Sequence, residues 1–513
     1  MSDDPRPPEG EGESEDVGFR EAEVLAARRE SLARLEAAGV PPFALGFPQD
    51  TWAADVVQEF GDRLEPGEES DRRASVAGRV VLARRLGKLT FLVIRDRTGD
   101  LQLFCEQDTL GDAYALLEEI DLGDIVGAAG VVVRTKRGEL SLKVDALTML
   151  TKTLRPLPDK WHGLKDPDLQ QRRRYLHLIA DETPRRYFLA RAEVLRTIRA
   201  VLHEQGYVEF EGPVLQPVAG GANARPFTTH HETLDVPMKL RISLELYLRR
   251  MLVGGVERVY EIGRNFRNEG IDRDHNPEFT MLEAYRAYGD YHTMMELSES
   301  LVLASLKIVN PLFGRASDDL IIPFHGREVD LTPPFERITV LGSVSDAVGE
   351  AVTLDRPDLR ELAARHDVPT DDAWGPGKIV QELFEKLVEP TIGRPTFVCD
   401  FPREVSPLAR PHRDDPSLTE HFDLVISGLE LVTAFSELTD PIEQRAKLEL
   451  QQQMKDVLGD EAHPLDEEFL RALEHGMPPA GGLGMGIDRL LMLLTDAPSL
   501  RDLIMFPSHR PEA

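Results

Sequence analysis

Residues 264–285 read RNFRNEGIDRDHNPEFTMLEAY, and the fold follows from how this stretch is punctuated. Upstream, Glu257 to Gly263 carries apolar Val259 and Ile262 and reads as a strand, which the run Arg264 to Glu269 brings to an end. Gly270 to Pro277 reads as a polar loop, because Gly, Asp and Asn-Pro favour turns. Phe279 to Tyr285 reads as a returning strand. Alternation along it puts Phe279, Met281, Glu283 and Tyr285 on one face. Glu283 is out of place there, since a carboxylate among Phe, Met and Tyr is costly unless a cation sits against it. Such a hairpin would carry Arg267, Glu269 and Phe279 on one open platform. An arginine fork grips phosphate through paired charged hydrogen bonds. A phenyl ring stacks on a base, and a carboxylate accepts from an exocyclic amine. The platform suits a nucleotide beside a cationic substrate.

Four further stretches point the same way. In PAGGLGMGIDRLLMLL (479–494) Gly482, Gly484 and Gly486 alternate, so one strand face carries no side chains and a flat ligand can lie on backbone. Ile487, Leu490, Leu491 and Leu494 then form the apolar stripe of a helix, with Arg489 at its start. In FDLVISGLELVTAFSELTDP (422–441), Asp423, Glu430 and Glu437 recur every seven residues. If two strands join at Ser427-Gly428, Asp423 and Glu430 face one another and can share a hard cation through oxygen ligands; on spacing alone, two unrelated acids are the commoner case. Gly220-Gly221 opens a permissive loop, and 239–253 reads as a strand turning into a helix with Glu245 at the junction, where a lone glutamate also serves simply to start a helix. Glu193 to Glu204 reads as an amphipathic helix closed by Gly206, followed by a strand from Tyr207 to Gln216 broken by Pro213.

Ahead of these lies a different pattern. Residues 1–17 are acidic and rich in Pro and Gly, an expected disordered tail, and 18–73 is an expected helical region whose helix Arg20–Ala38 stops at Gly39 and Pro41-Pro42. Short alternating strands fill 74–150, suggesting a small barrel such as the OB-fold. Arg79, Arg84, Arg85, Lys88, Arg95 and Arg97 make it locally basic, and Phe91 shares a strand face with Arg95; periodicity by itself favours Phe91 in the core. Residues 151–180 read as a linker, whose Arg172-Arg173-Arg174 run is a solvated face or a clamp on an RNA backbone.

Composition bounds the rest. The 513 residues suffice for two or three domains, and Lys+Arg 60 against Asp+Glu 90 gives a net charge of −30. That field opposes indiscriminate polyanion binding, although affinity for nucleic acid depends on local basic patches. No apolar run reaches membrane-spanning length and the N-terminus lacks the form of a signal peptide. With Cys105 and Cys399 as the two cysteines, neither a disulfide framework nor a zinc site is expected. A cytoplasmic location is expected.

In this order the stretches resemble motifs 1, 2 and 3 of the class II aminoacyl-tRNA synthetases, and GRNFRNEG…HNPEFTMLEAY is similar to the lysyl branch. The resemblance covers nearly all of the chain after about residue 20. It implies an α+β fold, with an N-terminal OB-fold β-barrel followed over 181–513 by a class II catalytic domain built on an antiparallel sheet flanked by helices. It implies a homodimer, activation of L-lysine with ATP to lysyl-adenylate, and transfer to tRNA(Lys) with release of AMP and diphosphate. For ATP it implies Arg267 on the α-phosphate, Glu269 on the adenine edge, and Phe279 and Arg489 on the two base faces. His275 would meet the outer phosphates, Asn276 and Gly486 would complete the nucleotide site, and Asp423 and Glu430 would hold Mg2+. Arg267 and Arg489 are the implied catalytic pair. For lysine it implies Gly221 and Glu245 at the α-amino group, Glu283, Tyr285 and Glu437 at the ε-ammonium, and Thr433 and Phe435 beside them. For the anticodon it implies Arg79, Phe91, Gln102 and Glu139. Two positions depart from the lysyl pattern: Asp274 stands where an arginine is usual, with Arg273 adjacent, and Thr433 replaces an asparagine. They support a rival reading, an RNA-binding paralogue without activity. A ligase that places lysine on a protein is another, but such enzymes lack the barrel. On the lysyl reading, Glu283→Gln raises the lysine KM steeply; an unchanged KM would remove the charge argument for specificity.

Overall fold

The computed structural model describes residues 11–157, 164, 166–453 and 463–510, with backbone alone over 11–20. The chain divides into two units after Leu164. In the first, strands β1 (Glu69–Leu86), β2 (Leu89–Arg95), β3 (Asp100–Glu106), β4 (Ile125–Arg134) and β5 (Leu140–Thr151) close into a barrel in the order β1-β2-β3-β5-β4. All pairs are antiparallel except β3 with β5. Alternation decides the packing. Leu92, Ile94, Leu101 and Leu103 are at most 2% exposed and fill the interior with Val76, Val126, Leu142 and Val144. Closure needs Gly130, where β4 slips register against β5: a Cβ there would stand 1.9 Å from the Lys143 carbonyl oxygen. The leading helix spans Glu11–Ala37, so it reaches back into the stretch read as a disordered tail. Glu11, Glu13 and Glu15 favour helix whether or not there is apolar surface to bury, which the composition argument did not weigh. Residues 1–10 lie outside the described residues.

The second unit is organised on an eight-stranded sheet. Its order is Glu336–Thr339, Thr396–Cys399, His421–Ile426, Leu429–Ser436, Ala480–Gly486, Glu278–Ala287, Arg258–Phe266 and Val208–Glu209. The outermost pair at each end is parallel and the middle is antiparallel. Helices Thr183–Glu204, Tyr291–Val309 and Ile487–Thr495 cover one face, burying Val194, Ile198, Leu301, Val302, Leu490 and Leu491 to 0% exposure against Leu282, Ala284 and Val432. With that face sealed, the opposite face is left to form the site.

Two expectations are corrected here. The strand from Tyr207 to Gln216 is instead two short pieces, Val208–Glu209 on the large sheet and Leu215–Gln216 on a separate three-stranded one, because Pro213 and the turn around it redirect the chain. The later part of the linker is helical, over Pro167–Arg172 and Arg174–Ala180. Arg174 is not on a solvated face: it is 0% exposed and donates to the carbonyls of Arg501 and Ile504.

Candidate active site

The hairpin has the expected form: Arg258–Phe266 and Glu278–Ala287 pair antiparallel from Arg258↔Arg286 to Phe266↔Glu278. Phe279, Met281, Glu283 and Tyr285 all face a cavity of 520 Å³ on the open side of the sheet. That volume suits a nucleotide with a small co-substrate. Arg267, Glu269, His275, Asn276, Asp423, Glu430, Thr433, Phe435, Gly486 and Arg489 line the same cavity, as do Gly221 and Glu245. The seven-residue recurrence, the glycine alternation and the hairpin therefore meet on one surface.

One end of the cavity brings together Arg267, Phe279, Asn276, His275 and Arg489. The Arg267 guanidinium stands 5.0 Å from the Phe279 ring, and burial pulls its pKa down. Arg489 packs its methylenes over Gly486 and donates from Nη1 to the Glu430 carbonyl at 2.8 Å. Asn276 is buried, donates to the Glu278 carbonyl at 2.6 Å, and leaves its own Oδ1 unpartnered. In the loop, Asp272 accepts from the backbone N–H groups of Asp274 and His275 and lies 2.9 Å from the His275 ring. Arg273 donates to Asp274 at 3.1 Å, so the cation next to this unusual acid is engaged by it.

Asp423 and Glu430 do not face one another as cross-strand partners. Asp423 pairs with Thr433, and Glu430 with Val425, because the register shifts between Leu424 and Val425. On a regular strand Glu430 and Thr433 would point to opposite faces; the extra residue brings them to the same one. The Thr433 hydroxyl lies 2.7 Å from Asp423 Oδ1 and 3.4 Å from Glu430 Oε1, joining the two acids. Protein packing and then Asp423 push the Glu430 pKa up. Burial and then Glu430 push nearby Glu389 up to about 7. The group is an oxygen-rich patch, with Arg489 Nη1 3.5 Å from Glu430 Oε1 and the His421 ring 3.2 Å from Asp423. Among the described residues no set of three or more His, Cys, Asp or Glu could by itself hold a metal. An ion here would complete its shell with phosphate oxygens and water, as Mg2+ commonly does.

At the other end the acids are deeply buried. Glu283 is 3% exposed and accepts from Ser243 Oγ and Leu244 N, each at 2.8 Å, and from Tyr285 Oη at 3.0 Å. Glu245 opens the helix Glu245–Val253 and pairs with Arg249 at 2.9 Å. Glu437 is 1% exposed and pairs with the same Arg249 at 3.0 Å, yet neither of its oxygens accepts a hydrogen bond. It is not on the wall of the main cavity. It sits over Gly482 at the closed end and lines a neighbouring cavity with Tyr288, Asp290 and Arg413. Glycine at 482 is required, for a Cβ would stand 2.1 Å from Glu437 Oε1 and 2.4 Å from the Tyr285 ring. The glycine alternation thus makes room for a carboxylate and a phenol at 482, whereas at 486 it supports Arg489. Gly221 has φ +87° and a Cβ there would crowd Ser243 and Glu245.

Sequence reasoning missed several members. Arg249 carried no motif signal, and its burial is set by helix packing. Asp488 accepts from the Thr280 N–H at 2.6 Å and from Arg191 at 2.5 Å, which fixes the hairpin to two helices. His463 lines the cavity, and burial pulls its pKa down to about 4, so the imidazole is neutral.

The anticodon candidates sit on the barrel. Phe91 is on the outer, half-exposed face of β2 and stacks on Phe104 at 5.4 Å, so the core position favoured by periodicity is corrected: Leu92 and Ile94 hold the interior instead. Gln102 donates to Ser141 Oγ at 2.8 Å, Arg79 donates to the Gly123 carbonyl at 2.7 Å, and Glu139 is exposed in the β4–β5 turn.

Comparison with known proteins accords with this geometry. The family model for class II tRNA synthetases (D, K and N) matches residues 166–510, and the model for the OB-fold nucleic acid binding domain matches 74–150. A lysine–tRNA ligase of Thermosynechococcus vestitus is 47% identical, covering 97% of this chain and 99% of its own. Those of Moorella thermoacetica and Synechococcus sp. (strain CC9311) are 46% and 49% identical, each covering 96% of this chain and at least 99% of its own. The chain belongs to the class II tRNA synthetases of the D, K and N group, carrying the OB-fold domain of that family ahead of the catalytic unit.

Proposed function

We propose that the chain is a lysine–tRNA ligase that activates L-lysine with ATP and transfers the lysyl group to tRNA(Lys). One observation carries the choice of lysine: Glu245, Glu283 and Glu437 are buried together, and among the described residues Arg249 is the one cation paired with any of them. Buried carboxylates require positive partners, and lysine brings two ammonium groups. A substrate with an acidic side chain would add to the deficit.

The lysine carboxylate is itself the nucleophile toward the α-phosphate, so the protein's part is positioning and charge stabilisation. Arg267 grips the α-phosphate, Glu269 accepts from the adenine amine, and Phe279 and Arg489 enclose the base. His275 meets the outer phosphates. Asp423 and Glu430, joined by Thr433, would hold Mg2+, which neutralises phosphate charge when bound. Gly221 and Glu245 take the α-ammonium, and Glu283 and Glu437 the ε-ammonium. On the barrel, Arg79, Phe91, Gln102 and Glu139 contact anticodon bases, where stacking is worth about 1–3 kcal/mol per base. No helix among the described residues is long and apolar enough to cross a membrane, and work in the cytoplasm fits the substrates. The domain plan is a helical lead-in, the barrel, a short connection and the catalytic unit. A homodimer is supported by exposed Leu189, Val208, Val214 and Leu215, on or beside the helix and edge strand matching motif 1; sedimentation at micromolar concentration tests it.

The deciding experiment is amino-acid-dependent exchange between ATP and diphosphate across the twenty amino acids, followed by charging of purified tRNA. Exchange with lysine and charging of tRNA(Lys) are expected; no exchange would favour an RNA-binding paralogue, and exchange without charging a ligase for another acceptor.

A pH dependence follows. Burial pushes Glu245 up to about 7, with Arg249 opposing and Glu283 adding to the rise, and burial also raises Glu283 and Glu437. An ammonium ligand binds the charged carboxylate, so binding releases a proton when the free site is protonated. The lysine KM is therefore expected to rise as pH falls below about 7, by about tenfold per unit for each group titrating. A lysine KM independent of pH between about 6 and 8 would contradict this.

A further inference from the structure

Beneath the acids at the closed end lies a side chain that touches no part of the cavity. Arg249 is 0% exposed, on the helix that Glu245 begins. Its Nη1 lies 2.9 Å from Glu245 Oε1 and 3.0 Å from Glu437 Oε2, so those two oxygens are no more than 5.9 Å apart, the sum of the two contacts. Its Nη2 donates to the Leu438 carbonyl at 2.6 Å, and the guanidinium carbon stands 4.9 Å from the Phe469 ring. The guanidinium is thus held by backbone and by ring, and it holds one acid on the helix and one beyond the end of the strand Leu429–Ser436.

We propose that Arg249 is a positioning residue that fixes the separation of the two ends of the amino-acid cup, and thereby the length of diamino acid that the site accepts. This rests on the reading of Glu245 as the acid for the α-ammonium and Glu437 as an acid for the ε-ammonium. The physical argument concerns stiffness. A glutamate free to rotate could follow a shorter ligand and restore its ion pair. Two glutamates tied to one rigid, planar group cannot both do so. Ornithine, one methylene shorter than lysine, then leaves one ammonium short of its carboxylate. A lysine side chain at 249 would supply charge without the planar fork whose second nitrogen is anchored on the Leu438 carbonyl, so its ammonium would no longer be held at a fixed place between the two acids.

The test measures exchange with lysine and with ornithine in wild type and Arg249→Lys. The expected result is a lysine KM raised about tenfold, and a lysine-to-ornithine ratio of kcat/KM narrowed about tenfold or more, the scale of one methylene in a shaped pocket. The kcat at saturating lysine and the KM for ATP should stay within about threefold of wild type, which general loss of structure would not allow. An unchanged ratio overturns the proposal, including the case where both KM values rise together. Should Arg249→Lys fail to fold, the charge-balanced double variant Arg249→Met with Glu245→Gln is compared with Glu245→Gln alone. The double variant must discriminate less; equal discrimination overturns the proposal. Glu437→Gln separates the two levels. If it leaves the lysine KM unchanged, the assignment of the acids fails. If it raises the KM while the Arg249 variants keep their discrimination, only the positioning role fails.

Discussion

Glu437→Gln is expected to raise the KM for lysine by about a hundredfold or more while the KM for ATP stays within about threefold, since breaking a buried ion pair typically costs 2–5 kcal/mol. The size follows from the surroundings of Glu437. It is 1% exposed and both its oxygens are without hydrogen bonds, whereas Glu283 already accepts from three donors. A ligand ammonium therefore gains more from Glu437 than from Glu283. The amide is close in size and should retain the contact with the space above Gly482, so a loss confined to lysine identifies charge as the cause. Isothermal titration with lysine and steady-state exchange would measure it. A change of less than about threefold would mean that the carboxylate is structural.

Arg267→Ala should reduce the rate of adenylate formation by about a hundredfold or more, the usual scale for removing one preorganised charge-stabilising donor. Among the described residues, the hydrogen bond that its guanidinium donates is a long one, 3.4 Å to the Ile242 carbonyl, with the Phe279 ring beneath. Its remaining donors are available to a ligand. The loss should appear in kcat measured by single-turnover formation of the adenylate, with the lysine KM nearly unchanged. Arg267→Lys keeps charge but loses the bidentate fork, so only part of the rate should return. Full activity in either variant would move the phosphate contact elsewhere, Arg489 being next along the wall.

The hairpin shows how far local patterning reaches. Residues 258–287 alternate and turn on signals a few residues apart, and the strands, the loop and the face shared by Phe279, Met281, Glu283 and Tyr285 came out as expected. The five barrel strands and the glycine strand at 480–486 were legible for the same reason. The demand for a cationic substrate was legible at Glu283, because an acid on an apolar face is a local anomaly visible without coordinates, while lysine itself was what the resemblance implied.

Other features depend on contacts between distant residues, which no local period encodes. The extra residue near Leu431 turns Glu430 to the side of Thr433, so the acids meet through a threonine hydroxyl rather than across the ladder. Arg249 was one cation among many in the sequence, and only helix packing buries it between Glu245 and Glu437. Phe91 could be placed outside the barrel only once closure had decided which alternate residues faced inward. The sequence by itself determined the hairpin, the barrel strands, the glycine strand, their order and the demand for a cation. Tertiary structure decided which acids share a partner and how far apart they are held, because register shifts and buried ion pairs are fixed by packing across the whole sheet.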